Sequence, residues 1–141
     1  MAASSPLSIR FDRTLLDRLR RTAAARDTTP SGLAQRLVDE GLRSQEIPGI
    51  VFRDGPSGRR AGLAAGPDVW EIVAALRDSE LRGEAAVEAL AADLSLTPGV
   101  MQTALAYYGA YPEEIDREVA DNDHAAEVAL RSWESQQRLL T

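Results

Sequence analysis

The feature that most constrains this chain is how little pattern its first 45 residues contain. One alternating stretch, Leu7-Ser8-Ile9-Arg10-Phe11, runs straight into two helical patterns and nothing else. A segment of that size has too little apolar area to bury a core of its own. Its fold therefore implies a partner copy.

The alternation puts Leu7, Ile9 and Phe11 on one face of a strand and Ser8 and Arg10 on the other, with Pro6 before them. Asp12 is the expected N-cap of a first helix, because Leu15, Leu16, Leu19 and Ala23 then recur at helical spacing to about residue 25. The stretch from Arg26 to Pro30 breaks that pattern, with Thr28 or Thr29 as the next cap and Pro30 in a first turn where its missing N–H costs little. Leu33, Leu37, Val38 and Leu42 make the second helix, which Gly41 is expected to fray. A second arrangement also fits the strand, as the edge of a sheet within one chain. Ser8 and Arg10 would then be ordinary solvent-facing residues.

Strand, helix, helix in this order resembles the ribbon-helix-helix family of DNA-binding proteins over residues 6–44. The resemblance implies a homodimer whose two strands pair antiparallel and lie in the major groove. By position, Ser8 and Arg10 would touch base edges, and Pro6 stands where many relatives carry a third polar residue. The start of the second helix matches the place where the family grips a phosphate, which a helix N-terminus favours by its free N–H groups. Pro30 lacks that donor, so the grip falls to Thr28, Thr29 and Ser31.

Charge is divided in the same sense. Through Arg43 there are eight Arg against five acids, a balance of +3, whereas the rest of the chain carries −9. An acidic protein is a poor general nucleic-acid binder, yet a basic terminal module can still dock on DNA. The asymmetry also points to a composite molecule, with a polar, turn-rich boundary at residues 44–49.

Past that boundary, residues 49–53 and 59–63 read as a β-hairpin around the turn Asp54-Gly55-Pro56-Ser57-Gly58. These glycines lack the Lys-Ser/Thr ending of a phosphate loop, and turn chemistry accounts for them. Gly66-Pro67-Asp68 opens a helix with proline at its first position and Val69, Trp70, Val73 and Leu76 as its buried stripe. A helix from Glu84 to Leu94 turns inward Val87, Leu90, Ala91 and Leu94, and one capped by Thr97 carries Val100, Ala104, Leu105 and Tyr108. The last two look like a helix-turn-helix unit. With the hairpin, the Pro48-Gly49 opening, the Pro67-Asp68-Val69-Trp70 helix start, the Leu96-Thr97 step and the Ala-Leu-Ala-Tyr-Tyr ending at 104–108, this stretch resembles a small domain of unknown function common in bacterial antitoxins. The helix at 99–108 holds Gln102 and Thr103 but neither Lys nor Arg, so the unit reads as a packing or dimerisation scaffold.

Pro112-Glu113-Glu114 starts a further helix, with Ile115 and Val119 as its apolar points, and Asp121-Asn122-Asp123 is expected to interrupt it and cap a last helix from His124 to about Leu140. On that last segment Ala126, Leu130, Trp133 and Leu140 share a stripe, and the spacing pairs Glu127 with Arg131 and Glu134 with Arg138. Two readings are open: the stripe docks on a partner, or Trp133 packs on the second domain. The resemblance to antitoxins implies the first, a tail that wraps a cognate toxin, often a PIN-like ribonuclease. Leu130, Arg131, Trp133 and Arg138 would carry that contact, an arginine neutralising the toxin's carboxylate cluster.

Catalysis finds no support. His124 is the single histidine, cysteine is absent, and the carboxylates follow helix caps and faces, so neither catalytic residues nor a metal or cofactor is expected. The N-terminus lacks a signal peptide's basic and apolar parts and no apolar run is long enough to span a membrane, which predicts a cytoplasmic protein. The expected protein is mainly α: a ribbon-helix-helix at 6–44, a hairpin plus helical domain at 47–120 and a partner-binding helix at 121–141. Its expected role is a homodimeric antitoxin that neutralises a toxin and binds operator DNA to repress its own operon. The alternatives are a stand-alone repressor with the same N-terminus and an interaction module that never meets DNA.

Overall fold

The computed structural model describes residues 4–141. Among them are six helices and one two-stranded antiparallel sheet, in the order α1 (Arg13–Ala25), α2 (Pro30–Glu46), β1 (Ile50–Gly55), β2 (Gly58–Leu63), α3 (Val69–Asp78), α4 (Gly83–Leu94), α5 (Pro98–Ala110) and α6 (Pro112–Leu140). The chain divides into two compact units, Met1–Leu42 and Arg43–Thr141.

In the N-terminal unit local chemistry sets the boundaries. The Asp12 carboxylate accepts from Leu15 N–H at 2.9 Å and caps α1. At the other end Asp27 takes a left-handed conformation (φ 51°), while Thr28 N–H reaches the Ala23 carbonyl at 3.0 Å and Asp27 N–H that of Ala24 at 3.3 Å. Those two bonds satisfy carbonyls that a helix end leaves open. The Thr29 hydroxyl caps α2 by accepting from Gly32 N–H at 3.0 Å, and Pro30 opens the helix. Residues 7–11 form no ladder: the sheet consists of β1 and β2, with one further bridge from Gly62 to Asp68, so the hairpin does not take up this segment as a third strand.

Gly41 does not end α2, and the polar stretch expected as a boundary begins as helix, since α2 runs on to Glu46. One interior glycine costs only about 1 kcal/mol. Arg43 offsets that cost by anchoring the last turn to Tyr107 and Glu114 at 2.8 and 2.9 Å.

The C-terminal unit is built on the hairpin. Its register runs from Ile50↔Leu63 to Gly55↔Gly58 around the two-residue loop Pro56-Ser57, with Gly58 at φ 122°. Pro67 lies outside α3 rather than at its first position, its carbonyl accepting from Leu63 N–H at 3.0 Å; Asp68 is the N-cap, and its N–H donates to the Glu71 carboxylate at 2.8 Å. Thr97 caps α5 through Val100 N–H at 3.2 Å. One core joins Ile50 and Leu63 of the hairpin, Val69, Ile72 and Val73 of α3, Ala91 of α4, Met101, Ala104 and Tyr107 of α5, and Ile115 and Val119 of α6.

The expected break at Asp121-Asn122-Asp123 is absent, and α6 is one helix of 29 residues. Asp and Asn end a helix only where the backbone is free to leave helical geometry. Here Ile115 and Val119 anchor the turns before them and neither Gly nor Pro follows Pro112, so the three residues cost a few tenths of a kcal/mol each and the helix continues. Beyond Val119 every residue of α6 is exposed. No helix among the described residues is long and apolar enough to cross a membrane.

Candidate nucleic-acid and partner interfaces

The N-terminal unit leaves most of its apolar side chains in solvent. Leu7 is 81 % exposed and Ile9 57 %, and Phe11, Leu15, Leu37, Val38 and Leu42 are exposed as well. Among this unit's described apolar residues only Ala23 and Leu33 are buried. Ser8 and Arg10 lie on either side of Ile9 on the same exposed segment, and Arg13, Arg18, Arg20, Arg21 and Arg26 are also exposed. Arg36 is half-buried, with Nε and Nη2 out of solvent and without an acceptor. A buried guanidinium N–H with no partner is costly, and native proteins rarely keep one.

The three residues assigned to a phosphate grip are next to one another but are not equivalent. The Thr28 N–H donates to the Ala23 carbonyl, whereas the Thr29 hydroxyl oxygen only accepts, from Gly32 N–H. Ser31, in the first turn of α2, is exposed. The cap also explains Gly32, where a Cβ would stand 3.0 Å from Thr29 Oγ1.

The C-terminal unit holds two polar clusters that the sequence did not announce. In the first, Arg43 donates to Tyr107 and Glu114, Tyr107 donates to the second oxygen of Glu114 at 2.5 Å, and the guanidinium lies 4.0 Å over the Tyr111 ring. Burial raises the Tyr107 hydroxyl pKa well above its ordinary value; burial opposes the charge on Arg43, but its bonds to Tyr107 and Glu114 raise its pKa overall. In the second, Arg77 pairs with Asp116 and donates to Tyr108 at 3.0 Å, holding the Asp116 carboxyl below the usual carboxylate range. Each cation meets its counter-charge within its cluster, so both clusters lock helices rather than offer reactive groups. No sequence signal could have found them, because each joins residues more than 30 positions apart.

A third group is incompletely satisfied. Glu118 Oε2, Arg60 Nε and Trp70 Nε1 are out of solvent with no hydrogen-bond partner, and the Arg60 guanidinium stands 5.3 Å from the Trp70 ring. Burial pushes the Glu118 carboxyl up to about 7. No group of three or more metal-ligating side chains occurs among the described residues.

The assigned tail residues lie together on the free half of α6. Leu130 and Trp133 are 55 % and 56 % exposed on one stripe, with Arg131 and Arg138 on an adjoining edge. Arg138 donates to Ser135 Oγ at 3.0 Å rather than pairing with Glu134. At about 100° per residue, Glu127, Arg131, Glu134 and Arg138 fall within about 60° of arc. The rest of the circumference is uncharged beyond His124, with Ala125, Ala126, Val128, Ala129, Leu139 and Leu140 on it.

Comparison of the chain with known protein families, with curated proteins and with solved structures finds no match.

Proposed function

We propose that this protein is a homodimeric antitoxin: its N-terminal unit pairs with a second copy and binds operator DNA, and the free half of α6 inhibits a cognate toxin of the PIN-like ribonuclease type. The observation that carries the reading is where the exposed apolar side chains fall. Apart from Leu81 and Leu94, the large ones fall on the opening segment with α1 and α2, and on the free half of α6. Contiguous apolar surface on a folded chain marks an interaction site.

For the N-terminal unit the partner is a second copy. Pairing the segment at residues 7–11 across a two-fold axis would cover Leu7, Ile9 and Phe11 while leaving Ser8 and Arg10 outward to meet base edges. Thr28, Thr29 and Ser31 around the start of α2 would grip a phosphate, the Thr29 hydroxyl still able to donate its proton while its oxygen caps the helix. On the tail, a helix charged along one edge suits a groove that encloses the rest of it. Leu130 and Trp133 would be the anchors, and Arg131 or Arg138 would reach the toxin's carboxylates.

The test is growth of cells expressing the adjacent open reading frame. Toxicity relieved by the full chain but not by one ending at Asp121 is the expected result. Absence of toxicity, or no rescue, would favour the stand-alone repressor.

A further inference from the structure

The free half of α6 carries two patterns in a fixed relation. Ala126, Leu130, Trp133, Gln137 and Leu140 make one stripe, and the edge of Glu127, Arg131, Glu134 and Arg138 lies about 110° round the helix from it. Flanking charges stand in that position when two helices pack stripe to stripe. All nine residues are exposed. Among the described residues none of the four charged ones makes an ion pair, so the whole edge is open to a second surface.

The charges along the edge run acid, base, acid, base at spacings of four, three and four. Turned end for end about the point between Ser132 and Trp133, that order maps every charge onto one of opposite sign. Glu127 comes to the level of Arg138, and Arg131 to the level of Glu134. An identical helix laid antiparallel across a two-fold axis at that point therefore pairs all four charges on both chains. A parallel arrangement in register sets each charge against its own like. Sliding the antiparallel helix by seven residues, the next register that keeps the stripes facing, leaves half of the edge unpaired.

The stripe fits the same axis. Trp133 comes within one residue, about 1.5 Å, of the level of its counterpart, Leu130 falls between the second copy's Trp133 and Gln137, and small Ala126 falls beside large Leu140. The remaining acids of the tail, Asp121 and Asp123, lie outside the overlap. So does the folded body, since the second copy's Val119, the last buried residue of α6, comes about 7.5 Å past the level of Thr141. Val128 and Leu139 face the other way and stay uncovered. We propose that the tails of two copies pair antiparallel over residues 124–141, with the two-fold axis between Ser132 and Trp133. Such a contact is self-complementary and closes at two tails. It draws on α6 alone and does not depend on operator or toxin. A toxin that takes Leu130 and Trp133 has to part the tails first.

The chain has no cysteine, so the direction of pairing can be trapped. Full-length protein carrying both Ala126→Cys and Leu140→Cys, two exposed positions, would be oxidised, and the cross-links of the covalent dimer identified by digestion and mass spectrometry. Within one helix these positions are about 21 Å apart, too far to bond. The expected result is at least roughly tenfold more linkage of position 126 to position 140 than of either position to itself. Same-position links in equal or greater amount, or no covalent dimer, overturn the proposal. Adding Arg131→Glu with Arg138→Glu makes the edge wholly acidic and should slow dimer trapping roughly tenfold; adding Glu127→Arg and Glu134→Arg as well reverses every sign and should restore it. A complete reversal that does not restore trapping also overturns it. Sedimentation separates this contact from the N-terminal pairing: a dimer that yields only same-position links is held together elsewhere, and refutes the tail pairing alone.

Discussion

Arg43 donates to the Tyr107 hydroxyl at 2.8 Å across 64 positions of sequence, and through it the last turn of α2 is fastened to the first turn of α6 by way of Glu114. The arginine side chain is only 18 % exposed, and its removal would take from the Tyr107 hydroxyl the bond it accepts and leave Glu114 without its counter-charge. Arg43→Met should cost about 2–3 kcal/mol of the C-terminal unit's stability. Urea unfolding followed by tryptophan fluorescence would measure it, and a change below about 0.5 kcal/mol would show that the cluster is only decorative.

Glu118 should make the stability of the same unit fall as pH rises. Its folded pKa, raised to about 7 by burial, lies above that of the unfolded chain. Glu114, Asp68 and Asp121 add to the shift and Arg60 opposes it. The protonated carboxyl therefore favours the folded state below the ordinary carboxylate range, and that contribution is lost as pH climbs through 7. Glu118→Gln should flatten the dependence of Tm on pH between 5 and 8 and raise Tm at pH 8. An unchanged slope would mean that the carboxylate is fully solvated.

Arg10 is exposed on the segment assigned to base contacts. Arg10→Ala should weaken binding to the upstream operator by about 1–3 kcal/mol and relax its sequence preference. Fluorescence anisotropy with operator and scrambled duplexes at matched salt would report both; equal losses on the two would assign the side chain to phosphate alone.

Trp133 presents more than half of its surface on the free half of α6. As an anchor it should contribute strongly, so Trp133→Ala should raise the Kd for the cognate toxin by about 2 kcal/mol or more. Calorimetric titration would show it, and an unchanged Kd would move the contact to other residues of the tail.

The caps and turns were legible because they depend on neighbours in sequence. Asp12, Thr29 and Thr97 cap the helices that follow them, and the loop Pro56-Ser57 closes the hairpin. What misled were polar or glycine residues inside helices. Gly41 and Asp121-Asn122-Asp123 have the chemistry of helix ends, but Arg43 in one case and Ile115 with Val119 in the other hold the backbone helical from a distance. The assigned site residues other than Thr28 are exposed; the bonds that the Thr28 N–H and the Thr29 oxygen make in the turn between α1 and α2 emerge only from its geometry.

The continuity of α6 has a bearing on the lifetime of the chain. Residues 120–141 are held by helical hydrogen bonds alone, so unravelling them costs almost nothing beyond helix propensity, and a protease would meet them first. A cut there leaves both compact units whole. On the proposed function, the same polypeptide would then persist in a shortened form that has lost the proposed toxin contact and kept the proposed operator contact, so turnover of a single helix half would be enough to separate the two in time.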